Sequence, residues 1–228
     1  MPRIRFSLKT LFVVLLVGTL AASHVFTSYR LKQTHDENVK LRTELGYLTI
    51  EDRSKVHVVG LATHEDLTWQ WRVYVPEGAR LVLKTATHKI PEYGLPATSD
   101  VRAALPPGEH LVTAAVHRDR EGRWQLQLST GGSYSPTPFP DATAKWLDDK
   151  ASILCWSAGA GGTETKHAEK PLRLLRVLSQ AHLPPGVSPV WRFDDPPPRG
   201  KPSRSGDGLM IWIDDPTQDE AATFFSQP

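Results

Sequence analysis

A chain of 228 residues, 39% apolar and 23% charged, has the material for one ordinary domain with a buried core plus accessory segments. Its formal net charge of +2 gives no basic excess of the kind that nucleic acid requires, so no nucleic-acid partner is expected. A single cysteine, Cys155, excludes an intramolecular disulfide, and 19 prolines with 16 glycines, set mostly between short apolar runs, favour an all-β domain with many turns.

Arg3, Arg5 and Lys9 precede an apolar run from Thr10 to Ala22. Counted from Phe6 to Phe26, the stretch is about 20 residues, enough to cross a hydrocarbon core of about 30 Å. The part free of strongly polar residues is only about 13 residues long, which also suits the apolar region of a cleavable signal. Thr19-Leu20-Ala21 and Ala21-Ala22-Ser23 would serve as its cleavage sites. The leading expectation is a cytoplasmic tail and transmembrane signal-anchor in 1–28, with membrane contact through 6–26; a secreted, cleaved form is the alternative. The basic tail favours a cytoplasmic N-terminus and an extracytoplasmic C-terminal domain. Arg30, Lys32, Lys40 and Arg42 follow closely and nearly balance that charge count.

A 3.5-residue seam follows, with Leu31 at position a, Thr34 at d, Asn38 at a, Leu41 at d, Leu45 at a and Leu48 at d. An a-position asparagine fixes register and favours dimers, and Glu37 at g can pair with Arg42 at the next e. Segment 29–52 is therefore expected to be a short helical coiled-coil stalk of a parallel homodimer. A monomeric amphipathic helix and a higher oligomer are the alternatives. Thr34 and Gly46 weaken the seam.

The opening Arg5-Phe6-Ser7-Leu8-Lys9-Thr10-Leu11-Phe12, the stalk, and Leu45-Gly46-Tyr47-Leu48-Thr49-Ile50-Glu51-Asp52 together resemble uncharacterised single-pass membrane-anchored proteins of planctomycete bacteria. The resemblance is confined to roughly the first 60 residues. It implies a retained anchor and a bacterial host. Its motifs describe anchoring rather than chemistry, so no functional residue carries over.

The remainder, 55–228, reads as an extracytoplasmic β-rich domain. In Leu67–Val75, Trp69, Trp71, Val73 and Val75 share one face and Thr68, Gln70, Arg72 and Tyr74 the other, as in a strand with one buried side. Arg80–Thr85 follows. Leu111–His117 and Arg123–Thr130 alternate in the same way around Asp119-Arg120-Glu121-Gly122, which predicts a hairpin. Lys55–Leu61, Ala151–Ser157, Leu172–Leu178, Val190–Phe193 and Leu209–Ile213 are weaker strands, and Leu172–Leu178 also fits a helix turn. About eight or nine short strands without a βαβ rhythm predict an antiparallel β-sandwich-like domain. Gly131–Asp141 and Asp195–Gly208 are expected loops.

Chemistry is hard to find in this pattern. Cys155, between Leu154 and Trp156, reads as a buried, inert thiol; a thiol enzyme using it is the sharper alternative. His57/His64 and His110/His117 are each seven apart, which on one strand puts the partners on opposite faces. Asp148/Asp149, Asp194/Asp195 and Asp214/Asp215 are adjacent and also point apart. Gly159-Ala160-Gly161-Gly162 lacks the trailing lysine of a phosphate loop and reads as a turn. Trp69 and Trp71 would make a stacking platform if exposed, but Val73 and Val75 on the same face favour the core. No catalytic residue, metal or cofactor is expected. The chain reads as a membrane-anchored, non-enzymatic structural or interaction module with a protein or glycan partner. A cell-surface carbohydrate-binding module is the runner-up.

Overall fold

The computed structural model describes residues 8–44, 46–91, 93–131, 133–140, 144–148, 153–179, 205–217, 220, 221 and 223. The expected strand Val190–Phe193, Leu45 and most of the expected loop Asp195–Gly208 lie outside the described residues. The chain divides into two units, Met1–Arg42 and Thr43–Pro228.

The first unit is carried by one helix, α1 (Leu8–Glu44), 37 residues long and hence about 55 Å at about 1.5 Å per residue. Its stretch Phe12–Asn38 is long and apolar enough to cross a membrane. Phe12, Val13, Val14, Leu15, Leu16, Val17 and Leu20 run consecutively enough to cover every side of the helix, and all are exposed. Two hydroxyls within this stretch are satisfied from inside it. Thr19 and Thr27 each donate a hydroxyl hydrogen bond of 2.9 Å to a carbonyl one turn back, on Leu16 and Ser23. Polar character begins near Arg30, whose guanidinium lies 4.8 Å from the Phe26 ring centroid. Leu31, Asn38 and Leu41 all lie on α1, which runs without a break from the apolar segment into the heptads. The helix stops at Glu44 and does not reach Leu48. Gly46, with φ +69°, supplies the left-handed residue that commonly ends a helix.

The second unit is antiparallel β-structure. Its strands are β1 (Lys55–Leu61), β2 (Thr68–Val75), β3 (Leu81–Ala86), β4 (Ile90–Pro91), β5 (Asp100–Leu105), β6 (Gly108–Arg118), β7 (Trp124–Thr130), β8 (Ser133–Pro138), β9 (Ile153–Ser157), β10 (Glu164–His167), β11 (Leu172–Ser179), β12 (Ser205–Gly206) and β13 (Gly208–Asp214). A six-stranded sheet has the order β10-β1-β2-β6-β7-β8, a five-stranded sheet the order β5-β3-β13-β11-β9, and β12 pairs with β4. One apolar cluster draws on both large sheets. Val58, Trp71, Val73, Val112, Ala114, Leu126 and Leu128 come from the first, and Leu81, Leu83, Leu174, Val177, Leu209 and Ile211 from the second.

Local chemistry explains where the strands begin and turn. Leu67 has φ +54°, outside the β region, so β2 starts one residue later than its alternation suggests. Asp119 closes the β6–β7 hairpin by accepting the amides of Glu121 and Arg123, both at 2.9 Å. Leu172–Leu178 is strand rather than helix turn: it pairs with β13 and β9, with a bulge between Arg173 and Leu175. The glycine turn after β9 is a crossing point. The Gly60 amide donates to the Gly159 carbonyl at 3.1 Å, and a Cβ on Gly159 would lie 2.5 Å from the Gly60 nitrogen.

Candidate functional site

Trp69 and Trp71 do not form an open platform. Trp71 is fully buried, and Trp69 is partly buried against the same core. Both are tied to β9. The Trp71 indole donates to the Ser157 hydroxyl at 2.9 Å, and the Trp69 side chain hydrogen-bonds the Cys155 thiol.

Cys155 departs from expectation, because the residue is exposed. The reason is topological: β9 ends the five-stranded sheet, so its alternate side chains have no neighbouring strand to cover them on one side. Its chemistry is still not that of an activated nucleophile. Desolvation raises the thiol's pKa, and the Trp69 contact opposes this only in part.

Several other titratable groups are held in structural contacts. His57 is buried: its Nε2 meets the Asp52 carbonyl at 2.6 Å, the Thr165 hydroxyl lies 3.2 Å from its Nδ1, and its ring packs on Tyr74. His110 meets the Pro106 carbonyl and His117 the Gln125 side chain. Asp148 accepts from the Trp124 indole at 2.9 Å and pairs with Arg118, which stacks on that indole; the indole bond first, then the arginine, hold its carboxyl below the usual range against some desolvation. Among the described residues no group of three His, Cys, Asp or Glu side chains could hold a metal ion.

A larger feature is the side of the six-stranded sheet that faces away from the core. Residues 46–54, of which the sequence places 46–52 in the helical stalk, cross part of it as a belt. The Thr49 amide donates to the Thr163 hydroxyl at 3.2 Å, the Tyr74 hydroxyl donates to the Arg53 carbonyl at 3.4 Å, and the Arg72 guanidinium lies 5.9 Å from the Tyr47 ring centroid. Asp52 anchors the belt's end by accepting from the Ser54 hydroxyl and amide and pairing with Lys55, contacts that hold its carboxyl well below the usual range. Beneath the belt His57 and Val59, on the non-core side of β1, are buried.

Beyond the belt the face stays half-open across β2, β6 and β7. Register places Gln70, Thr113 and Ser129 in one row, Thr68, Ala115 and Gln127 in the next, and His117 beside Gln125. None of these side chains carries a fixed charge. Tyr47 and Leu111 are the exposed large hydrophobic residues of the domain among those described, and they flank Arg72 at one end of the face. No periodicity score singles this face out. The signal in the sequence is the absence of Lys, Glu, Asp and Arg from the outward positions of β7 and from most of those on β6 and β2.

In comparisons with known protein families, curated proteins and solved structures, the chain matches none. The functional reading therefore rests on its own geometry.

Proposed function

We propose that the protein is a non-enzymatic interaction module held at a membrane by α1. In this reading the apolar part of α1 is a retained signal-anchor and the domain, arranged as a β-sandwich, is presented on the extracytoplasmic side of a bacterial cell. The heptad residues Leu31, Asn38, Leu41 and Leu45 join two copies as a parallel coiled-coil stalk. The observation that carries the reading is the exposed, all-round apolar surface of α1 between Phe12 and Leu20, within a stretch long and apolar enough to cross a membrane, which water would not tolerate on an isolated helix.

The test is to express the full chain, wash membranes with alkaline carbonate, and sequence the N-terminus of the retained protein. An intact N-terminus in the washed pellet is expected. A soluble product beginning near Ser23 would replace the anchor with a cleaved signal. Protease treatment of spheroplasts reports sidedness, and a fully protected domain would reverse it. Asn38→Leu should raise the oligomer's order or stability in sedimentation. A monomer before and after that change would remove the stalk from the reading.

A further inference from the structure

We infer that the open part of the six-stranded sheet, walled on one side by residues 46–54, binds a neutral polysaccharide chain. The inference rests on the reading of the domain as an interaction module and assigns its ligand class.

Charge is the first argument. An anionic polymer, an acidic peptide or a phosphorylated surface needs cations placed to meet it. Here the outward side chains in the middle of β2, β6 and β7 are amides, hydroxyls and Ala115, and at the margin Arg72 lies over Tyr47 with Glu109 in the next row. Hydrogen-bond chemistry is the second. Each glutamine amide offers two donors and an acceptor oxygen on one rigid plane, and each hydroxyl both donates and accepts. A sugar hydroxyl has the same dual character, so Gln70, Thr113, Gln127 and Ser129 match a run of vicinal hydroxyls without leaving a charge unpaired.

The distribution of apolar surface is the third argument. A protein partner calls for a desolvated apolar centre ringed by polar groups. This face has the reverse arrangement, with a polar centre and its exposed apolar groups, Tyr47 and Leu111, at one end. One exposed aromatic ring beside a hydrogen-bonding floor suits stacking against the C–H face of a single sugar ring. The site is also built in advance. Backbone pairing fixes the floor, and the Thr49, Asp52 and Arg53 contacts fix the wall, so little ordering is needed on binding.

The experiment uses the full chain in lipid nanodiscs. Immobilised dextran, laminarin, galactomannan and xyloglucan serve as neutral probes and dextran sulfate as the anionic one. At least one neutral probe should retain the protein, with retention unchanged when salt rises from about 50 to about 500 mM, since no ion pairs are involved. Gln70→Ala with Gln127→Ala should weaken it about tenfold, the loss of one good set of hydrogen bonds. Tyr47→Ala should weaken it to a similar degree. Thermal melting controls for folding; if the double variant melts early, Gln127→Glu and Tyr47→Ala give the same readout. The proposal is overturned if no neutral probe binds, if only dextran sulfate binds and salt removes it, or if these substitutions leave retention intact. A photo-crosslinker at position 127 that captures a polypeptide rather than a glycan also overturns it, while leaving the module reading standing. Loss of membrane attachment with glycan binding preserved would do the opposite.

Discussion

The two large sheets treat their non-core faces in opposite ways. On the six-stranded sheet that face is half-open past the belt and carries few charges, Arg72 and Glu109 at its margin among them. On the five-stranded sheet it is covered and contains the charged side chains. Val82, Met210, Trp212 and Leu178 are buried there, and so are Lys84 and Arg176. Ile90, Leu178, Met210 and Trp212 form a second apolar cluster, with Leu95 packed against it. Arg176 donates to the Pro91 carbonyl, and Lys84 pairs with Glu220 at 3.0 Å and with Asp214 at 3.8 Å. Glu220 reaches Lys84 because Thr217 caps the turn that carries it: the Thr217 amide donates to the Glu220 carboxylate and the Glu220 amide to the Thr217 hydroxyl. The buried Lys84 is ion-paired and the buried Arg176 hydrogen-bonded to a backbone carbonyl, while the half-open face of the other sheet carries few charges. Exposure and charge are thus uncoupled here, which marks the neutral face as a surface under some demand other than solubility.

The contrast is broken most directly by substitution at equivalent positions. Trp212→Ala should cost about 3–5 kcal/mol of unfolding free energy, as expected for removal of a buried indole. Gln127→Ala should change it by less than about 0.5 kcal/mol. Urea unfolding of both variants checks this, and equal losses would mean that the neutral face is covered too. Glu220→Gln comes next. It leaves the buried Lys84 ammonium with only the longer Asp214 contact, at a cost of about 1–3 kcal/mol.

The same pair makes a pH prediction of smaller size. Burial works against ionisation of Glu220, but the Thr217 amide and Lys84 outweigh it and hold its carboxyl below the ordinary 4.5. Its stabilisation is complete above that ordinary value and is lost as pH falls through the lower folded value. Asp215 has the opposite sign. Desolvation first, then Asp214 and Glu169, raise its pKa above the ordinary 3.8, so its contribution is present below that value and is lost as pH rises through the folded one. Glu220→Gln should therefore flatten the acid limb of a stability–pH curve, and Asp215→Asn should steepen it. An unchanged acid limb in Glu220→Gln would remove the pair from the account. The smallest effect falls at the sheet edge, where Cys155 is neither covered nor neutral-faced. Iodoacetamide should alkylate it in the native protein, only slowly at neutral pH, and Trp69→Phe should slow the reaction a few-fold by removing the contact that favours thiolate. No alkylation without denaturant would show the thiol to be closed off.

The same difference decides what was legible in the sequence. Strands of the six-stranded sheet show one side to the core, so β2, β6 and β7 alternate and their core-facing residues could be read directly. The central strands of the five-stranded sheet are covered on both sides. Leu81–Ala86 and Gly208–Ile213 are buried throughout, which erases the period-two signal and made Leu172–Leu178 look equally like a helix. Strands β5, β8 and β10 went unread for other reasons. β10 is entirely polar at an edge, and β8 carries Pro136 and Pro138, which an edge strand tolerates. Trp71 in the core followed from its valine neighbours. Exposure of Cys155 did not follow, because strand order across a sheet is not written in the local pattern. The cap Thr217–Glu220 was present in the sequence as a Thr-x-x-Glu motif and passed unnoticed for lack of an apolar run behind it.

The belt of residues 46–54 has a mechanical consequence. With α1 held at a membrane, as proposed, tension along the chain would reach the belt where Thr49 and Asp52 are pinned. It would have to shear the Thr49–Thr163, Asp52–His57 and Tyr74–Arg53 bonds before it could peel β1, which has only β10 between it and the sheet edge. On that reading the belt takes up a weak pull before it reaches the half-open face of the sheet.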